Sequence, residues 1–120
     1  MSNEDEPPKI VRPLRWTALR ADEAEKVIRE RSEATRNVVF SLRAFDRIEE
    51  RAITQSDVLA ILREGHVEGE PELMKNGVDW KVVVTRRMPG GRVAGAVTVI
   101  YRPPADNLFV MTVEWMDWNR

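Results

Sequence analysis

Cysteine is absent from the 120-residue chain, which excludes disulfides, thiolate metal ligands and a cysteine nucleophile. Histidine occurs once, at His66, and Asp, Glu and His nowhere fall at metal-ligand spacing, so neither a metal nor another cofactor is expected. No apolar run approaches the roughly 20 residues that cross a bilayer. The opening MSNEDEPPKIVRP is acidic and proline-bearing, unlike a secretory signal. A cytoplasmic protein without membrane contact is the resulting expectation. An excess of one charge is missing too: 19 basic against 20 acidic residues give a net charge of −1 and no global pull towards nucleic acid.

What is present is a chain of single-domain length with an ordinary 42% of hydrophobic residues. Its charge is unevenly spread. Residues 38–70 hold four basic and seven acidic side chains, whereas the stretch from Lys81 to Arg102 holds five basic and no acidic ones.

Residues 1–13 lack periodicity and carry three prolines, the pattern of a disordered tail. An additional N-terminal helix follows within 14–36: Ala21, Ala24, Val27 and Ile28 form a narrow apolar stripe between about Ala18 and Ala34. NVVFSL, residues 37–42, is β-prone. SLRAFDRIEERAITQSDVLAILREG, residues 41–65, contains two helices. In the first, Ala44, Phe45, Ile48 and Ala52 share a face bordered by Arg43, Arg47 and Arg51. Arg43 with Asp46 and Arg47 with Glu50 can pair at i,i+3. The second helix starts at a capping box, Thr54 with Asp57, and Gly65 is placed to end it in a left-handed turn.

From His66 the hydrophobic period changes from 3.6 to 2. HVEGEPELMK reads as a weak strand that Pro71 makes an edge or a break. DWKVVVTRRM (79–88), RVAGAVTVIYR (92–102) and LFVMTVEWM (108–116) read as three strands joined by turns at PGG and PPADN. The order predicts an α+β fold: an antiparallel sheet of three to four strands with two to three helices packed on one face.

Alternation then divides the side chains. The bulkier sets (Trp80, Val82, Val84; Val93, Val97, Val99, Tyr101; Phe109, Met111, Val113, Trp115) are expected under the helices. That leaves Lys81, Thr85, Arg87, Arg92, Thr98, Arg102, Thr112 and Glu114 on an open face suited to a polyanion such as RNA. Arg87 and Glu114 would lie two strand spacings apart, about 10 Å. A carboxylate base with cationic clamps can split RNA through its own 2′-hydroxyl, so Lys81, Arg87 and Glu114 are the catalytic candidates. Arg43, Arg47, Arg92 and Arg102 are the RNA-binding candidates. The plainer alternative is solvated decoration at strand ends, with Glu114 paired to a basic neighbour. His66 reads as a cap or surface residue. The tryptophans read as packing, with Trp115 and Trp118 also able to stack a base.

The two-helix stretch resembles the small DUF4258 family, whose pattern runs His-Ala, Arg-Met, Arg-Gly-Ile, Ser/Thr, Asp-Val, Gly. Here these positions read Arg43-Ala44, Arg47-Ile48, Arg51-Ala52-Ile53, Thr54, Asp57-Val58 and Gly65, and the resemblance extends through DWKVVV and AVTVI over roughly 38–116. Arg43 stands where the family has histidine and Ala52 where it has glycine. The family is similar in layout to RelE/ParE-like toxins, MqsR-type mRNA interferases in particular. The resemblance implies a RelE-like domain over 37–120, metal-independent endoribonuclease activity and a partner antitoxin. The tyrosine and lysine of such toxins fall at Ala94 and Ala96, so it supplies no catalytic set. A non-catalytic module of the same fold, binding nucleic acid or protein, is the alternative.

Overall fold

The structure is a computed structural model that describes residues 14–116; the expected tail at 1–13 and Trp118 lie outside the described residues. A 3₁₀ turn, Trp16–Ala18, precedes helix α1 (Ala21–Ser32), so the helix begins three residues later than the sequence pattern predicts. A second 3₁₀ turn (Thr35–Asn37) leads into strand β1 (Val38–Phe40), helix α2 (Leu42–Arg51) and helix α3 (Gln55–Glu64). The strands β2 (His66–Leu73), β3 (Trp80–Arg87), β4 (Val93–Ile100) and β5 (Leu108–Trp115) follow. The fold is α+β.

The sheet has five strands among the described residues, in the order β1-β5-β4-β3-β2. The expectation of three to four antiparallel strands is corrected at one edge, where Val38–Phe40 pairs in parallel with Leu108–Val110. At the other edge β2 is bulged between Glu68 and Glu72, the segment holding Pro71, which cannot donate to a ladder.

Local chemistry sets the helix boundaries. Thr54 and Asp57 close the reciprocal capping box at 2.9 and 3.0 Å. Ser41 caps α2 by accepting from the Ala44 N–H at 2.9 Å, and its own hydroxyl donates to the Met111 carbonyl at 2.7 Å. α2 is thereby fastened to the sheet edge. It ends at Ala52, a non-glycine residue held in the left-handed region (φ 55°, ψ 40°). Gly65 departs from its expected role, because its φ of −85° and ψ of −173° are extended rather than left-handed.

The helices α1 and α3 cover one face of the sheet, and α2 packs along β5 and β1. Ile28, Val58, Ile61, Leu62, Ile100, Leu108, Val110 and Val113 are fully buried between these layers. Each such side chain contributes about 1.5–3 kcal/mol relative to exposure. The N-terminal helix belongs to this domain: Arg31 donates to the carbonyls of Tyr101 (2.8 Å) and Asn107 (3.1 Å), and Arg63 of α3 donates to Ser32 O at 2.8 Å. Burial lowers the Arg31 pKa, with Asp106 opposing.

The register corrects the expected division of faces. β3 places Trp80, Val82 and Val84 under the helices as expected, but their partners on β4 are Ile100, Thr98 and Ala96. Cross-strand partners share a face. The helix-covered set of β4 is therefore Ala94, Ala96, Thr98 and Ile100, all with no exposed surface. Small side chains there let α3 approach β3 and β4 closely. Arg92 and Arg102 share that parity, so neither stands in the open-face row. In β5 the ladder skips Met111, since Thr98 pairs with Val110 and Val97 with Thr112. This bulge reverses the alternation, turning Leu108 and Val110 to the core and Phe109 outward.

Candidate functional site

The uncovered face can be read in rows along the register. Glu72, Lys81, Val99 and Phe109 form the first row, Glu68, Val83, Val97 and Thr112 the second, and His66, Thr85, Gly95 and Glu114 the third. Arg87 and Val93 end the ladder. None of α1, α2 and α3 lies across this face. Its middle is apolar. Tyr101 packs beside Phe109 at the Lys81 end, with ring centroids 6.5 Å apart.

Lys81, Arg87 and Glu114 share the face as the alternation predicts, yet they do not converge. Lys81 and Arg87 are six residues apart on β3, about 20 Å along the strand. Lys81 Nζ lies 3.5 Å from Glu72 Oε1. Glu114 is held from the α2 side, with Arg51 Nη2 at 3.2 Å and Arg47 Nε at 3.5 Å, while Thr112 donates to it at 3.3 Å. This arrangement matches the alternative in which Glu114 pairs with a basic neighbour.

The arginine stripe resolves into two kinds of residue. Arg47 pairs with Glu50 at 2.8 Å as predicted, and Arg47 and Arg51 both reach Glu114 across the sheet edge. Arg43 is exposed, and its expected pairing with Asp46 does not form among the described residues. Arg92 lies with its guanidinium carbon 4.1 Å from the centre of the Trp115 ring, whose Nε1 donates to Arg51 O at 2.9 Å. Trp115 is therefore covered on that side. Arg102 stands at the opposite end of the sheet, beside Trp16, Leu73 and Val78.

A second group of ionisable side chains on this face surrounds His66. A cavity of about 460 Å³ opens at the third row and beyond, lined by His66, Glu68, Thr85, Arg86, Arg87, Val93 and Met116. His66 is directly opposite Thr85, whose hydroxyl donates to Glu68 Oε2 at 3.2 Å. Arg87 follows Thr85 by two residues on the same face, and its Nη1 donates to Gly91 O at 2.7 Å. Arg86 points the other way, to Glu64 of α3 at 2.7 Å. Gly95 leaves room for the Met116 side chain, which a Cβ there would meet at 2.8 Å.

The imidazole is anchored from behind. Glu25 of α1 places Oε2 3.3 Å from His66 Nδ1 and accepts the Val67 N–H on Oε1 at 2.9 Å. Arg29, one turn later, lies 3.3 Å from the same carboxylate and donates to the Gly65 carbonyl at 2.9 Å. Burial works to raise the Glu25 pKa, but the Val67 N–H, the His66 ring and Arg29 outweigh it. The carboxyl is held below its ordinary 4.5. With Nδ1 directed at Glu25, Nε2 is the ring nitrogen left for a ligand, and the His66 side chain is 74% exposed. The sequence signals for this site were Thr85 and Arg87, which strand alternation places on this face; His66, the only imidazole in the chain, read there as a cap or surface residue.

No family model, curated protein or solved structure matches the chain.

Proposed function

We infer that the chain binds single-stranded RNA across its uncovered sheet face and cuts it without metal, as a toxin-like endoribonuclease of RelE-like fold. The observation that carries this reading is the layout of the face. An aromatic pair, Tyr101 and Phe109, stands at one end, and a cavity with His66, Thr85 and Arg87 stands at the other. The two ends are separated by four to six residues of β3, about 13–20 Å. Open antiparallel sheets with exposed aromatic rings stack unpaired bases, and flanking cations follow the phosphates. RNA carries its own nucleophile in the 2′-hydroxyl, so cleavage needs only proton transfer and charge stabilisation. On this reading a neutralising antitoxin covers the same face.

One observation favours the second reading, a binding module of the same fold without turnover. Two of the three catalytic candidates, Lys81 and Glu114, are already engaged in ion pairs. A single experiment separates the two. The purified chain is incubated with labelled single-stranded RNA in EDTA, and binding is followed in parallel by anisotropy at several salt concentrations. Cleavage supports the endoribonuclease. Salt-sensitive binding with intact RNA, with log Kd changing by about 0.7 per log unit of salt for each phosphate held, supports the module. RNA neither bound nor cut removes both.

A further inference from the structure

The endoribonuclease reading leaves its proton-transfer groups unassigned, because Lys81 and Glu114 are neutralised outside the cavity. Resting on that reading, we propose that His66, Glu68 and Arg87 are the catalytic residues of the cavity, and that Glu25 of α1 is the positioning residue for the imidazole.

The register supplies the spacing. His66 and Thr85 are direct cross-strand partners, about 5 Å apart at the backbone. Glu68 lies two residues along β2 and Arg87 two along β3, each about 7 Å from the His66–Thr85 pair and in opposite directions. A phosphodiester seated between His66 and Glu68, which lie two residues apart on one face of β2, has one group on each side, and Arg87 of the neighbouring strand faces its non-bridging oxygens. The Thr85 hydroxyl keeps the Glu68 carboxylate turned towards that seat.

Atoms and protons balance in the resulting step. The Glu68 carboxylate takes the proton of the ribose 2′-hydroxyl as O2′ bonds to phosphorus. The P–O5′ bond breaks, and O5′ takes the proton carried on His66 Nε2. The products are a 2′,3′-cyclic phosphate and a 5′-hydroxyl, and exchange with water returns one proton to His66 and removes one from Glu68. Arg87 stabilises the charge that builds on the phosphoryl oxygens. Glu25 Oε2 at 3.3 Å and Arg29 Nη2 at 3.5 Å both meet Nδ1, which fixes the ring and leaves Nε2 towards the substrate. Glu25 and Arg29 from α1, Glu68 from the histidine's own strand and Arg86 and Arg87 from β3 are the charged groups around the imidazole. α1 is then part of the site rather than an accessory to the fold.

His66 is the only histidine, so its ring protons give a single, unambiguous pair of NMR signals. The test uses the full chain in EDTA. RNA cleavage is measured for the wild type and for His66→Gln, Glu68→Gln, Arg87→Ala and Glu25→Gln, and oligothymidylate, which has no 2′-hydroxyl, serves as the binding probe. Expected are losses of about 10²–10⁴-fold in kcat for His66→Gln and Glu68→Gln, with oligothymidylate affinity retained. Arg87→Ala loses both affinity and rate. Glu25→Gln lowers kcat with oligothymidylate affinity retained and moves the His66 ring signals in the free protein. The wild-type ring signals move when oligothymidylate is added, and less so in Arg87→Ala. All four side chains are at least partly exposed, so the variants retain the wild-type fold, checked by their melting temperatures. Undiminished cleavage by His66→Gln or Glu68→Gln overturns this assignment and leaves the RNA reading standing. Absence of cleavage by the wild type overturns both. Unmoved His66 ring signals and undiminished kcat in Glu25→Gln overturn the positioning role alone.

Discussion

Replacing Gly65 with alanine tests why glycine stands between α3 and β2. The residue is extended, so no left-handed strain requires glycine there. The requirement is space: a Cβ would sit 2.5 Å from the Ile61 carbonyl oxygen, 2.5 Å from that of Thr85 and 3.1 Å from Val84 Cγ1. The two oxygens belong to the backbone of α3 and β3, and neither can yield by a rotamer change. Overpacking of this kind costs about 1–3 kcal/mol. The smaller unfolded-state entropy of alanine offsets about 0.4–1 kcal/mol of that. A net loss of about 1–2 kcal/mol lowers Tm by roughly 4–10 °C in a domain of this size. Thermal denaturation followed by circular dichroism reads it directly. Gly65→Asn separates the two explanations, because a left-handed cap tolerates asparagine whereas a close approach rejects it at least as strongly as alanine. A Gly65→Ala protein melting within about 2 °C of wild type refutes the reasoning, as does an asparagine variant more stable than the alanine one.

Three other predictions address neighbouring features. Ala52→Gly raises stability by about 0.5–1 kcal/mol in urea denaturation, because an L-residue in the left-handed region costs about 1–2 kcal/mol and glycine returns part of that as backbone entropy. Glu114→Gln leaves RNA cleavage intact and lowers stability by about 0.5–1 kcal/mol, the scale of a half-exposed ion pair, whereas a catalytic base there would lose activity by orders of magnitude. The pKa of Glu25 is depressed in the folded state, so its contribution is present above the unfolded value and is lost as pH falls through the folded one. Denaturation midpoints measured on the acid side of pH 4.5 therefore fall less steeply for Glu25→Gln than for wild type.

The helices were legible because their signals are local. A capping box at Thr54 and Asp57 and an apolar stripe over Val58, Ile61 and Leu62 involve only neighbouring residues, and both stand in the structure. The division of β4 was misjudged because bulk was taken as the sign of burial, whereas the strand beneath α3 carries Ala94 and Ala96 to let the helix close in. The turn held the correct answer. Met88 donates to Arg92 O at 2.7 Å across the loop 89–91, so odd residues of β3 pair with odd residues of β4, and Lys81 and Arg87 must share a face with Val99 and Val93. The bulge at Met111 left no comparable signal, and it reversed the first half of β5. The ion pairs were beyond reach for a different reason. Glu114 meets Arg51 from 63 residues away and His66 meets Glu25 from 41, distances over which spacing carries no information. Arg92 was assigned to phosphate on charge alone, and its position over Trp115 depended on the same unseen register.

Which side of the sheet receives RNA decides the assignment of every site residue, and amide chemical-shift mapping of the full chain with single-stranded RNA in EDTA measures that most directly. Shifts concentrated at Thr85, Arg87, Val97 and Phe109, with α1 and α3 changing only around Glu25, are the predicted result. Shifts confined to the helix-covered side, or to the exposed flank of α2 around Arg43, would contradict it.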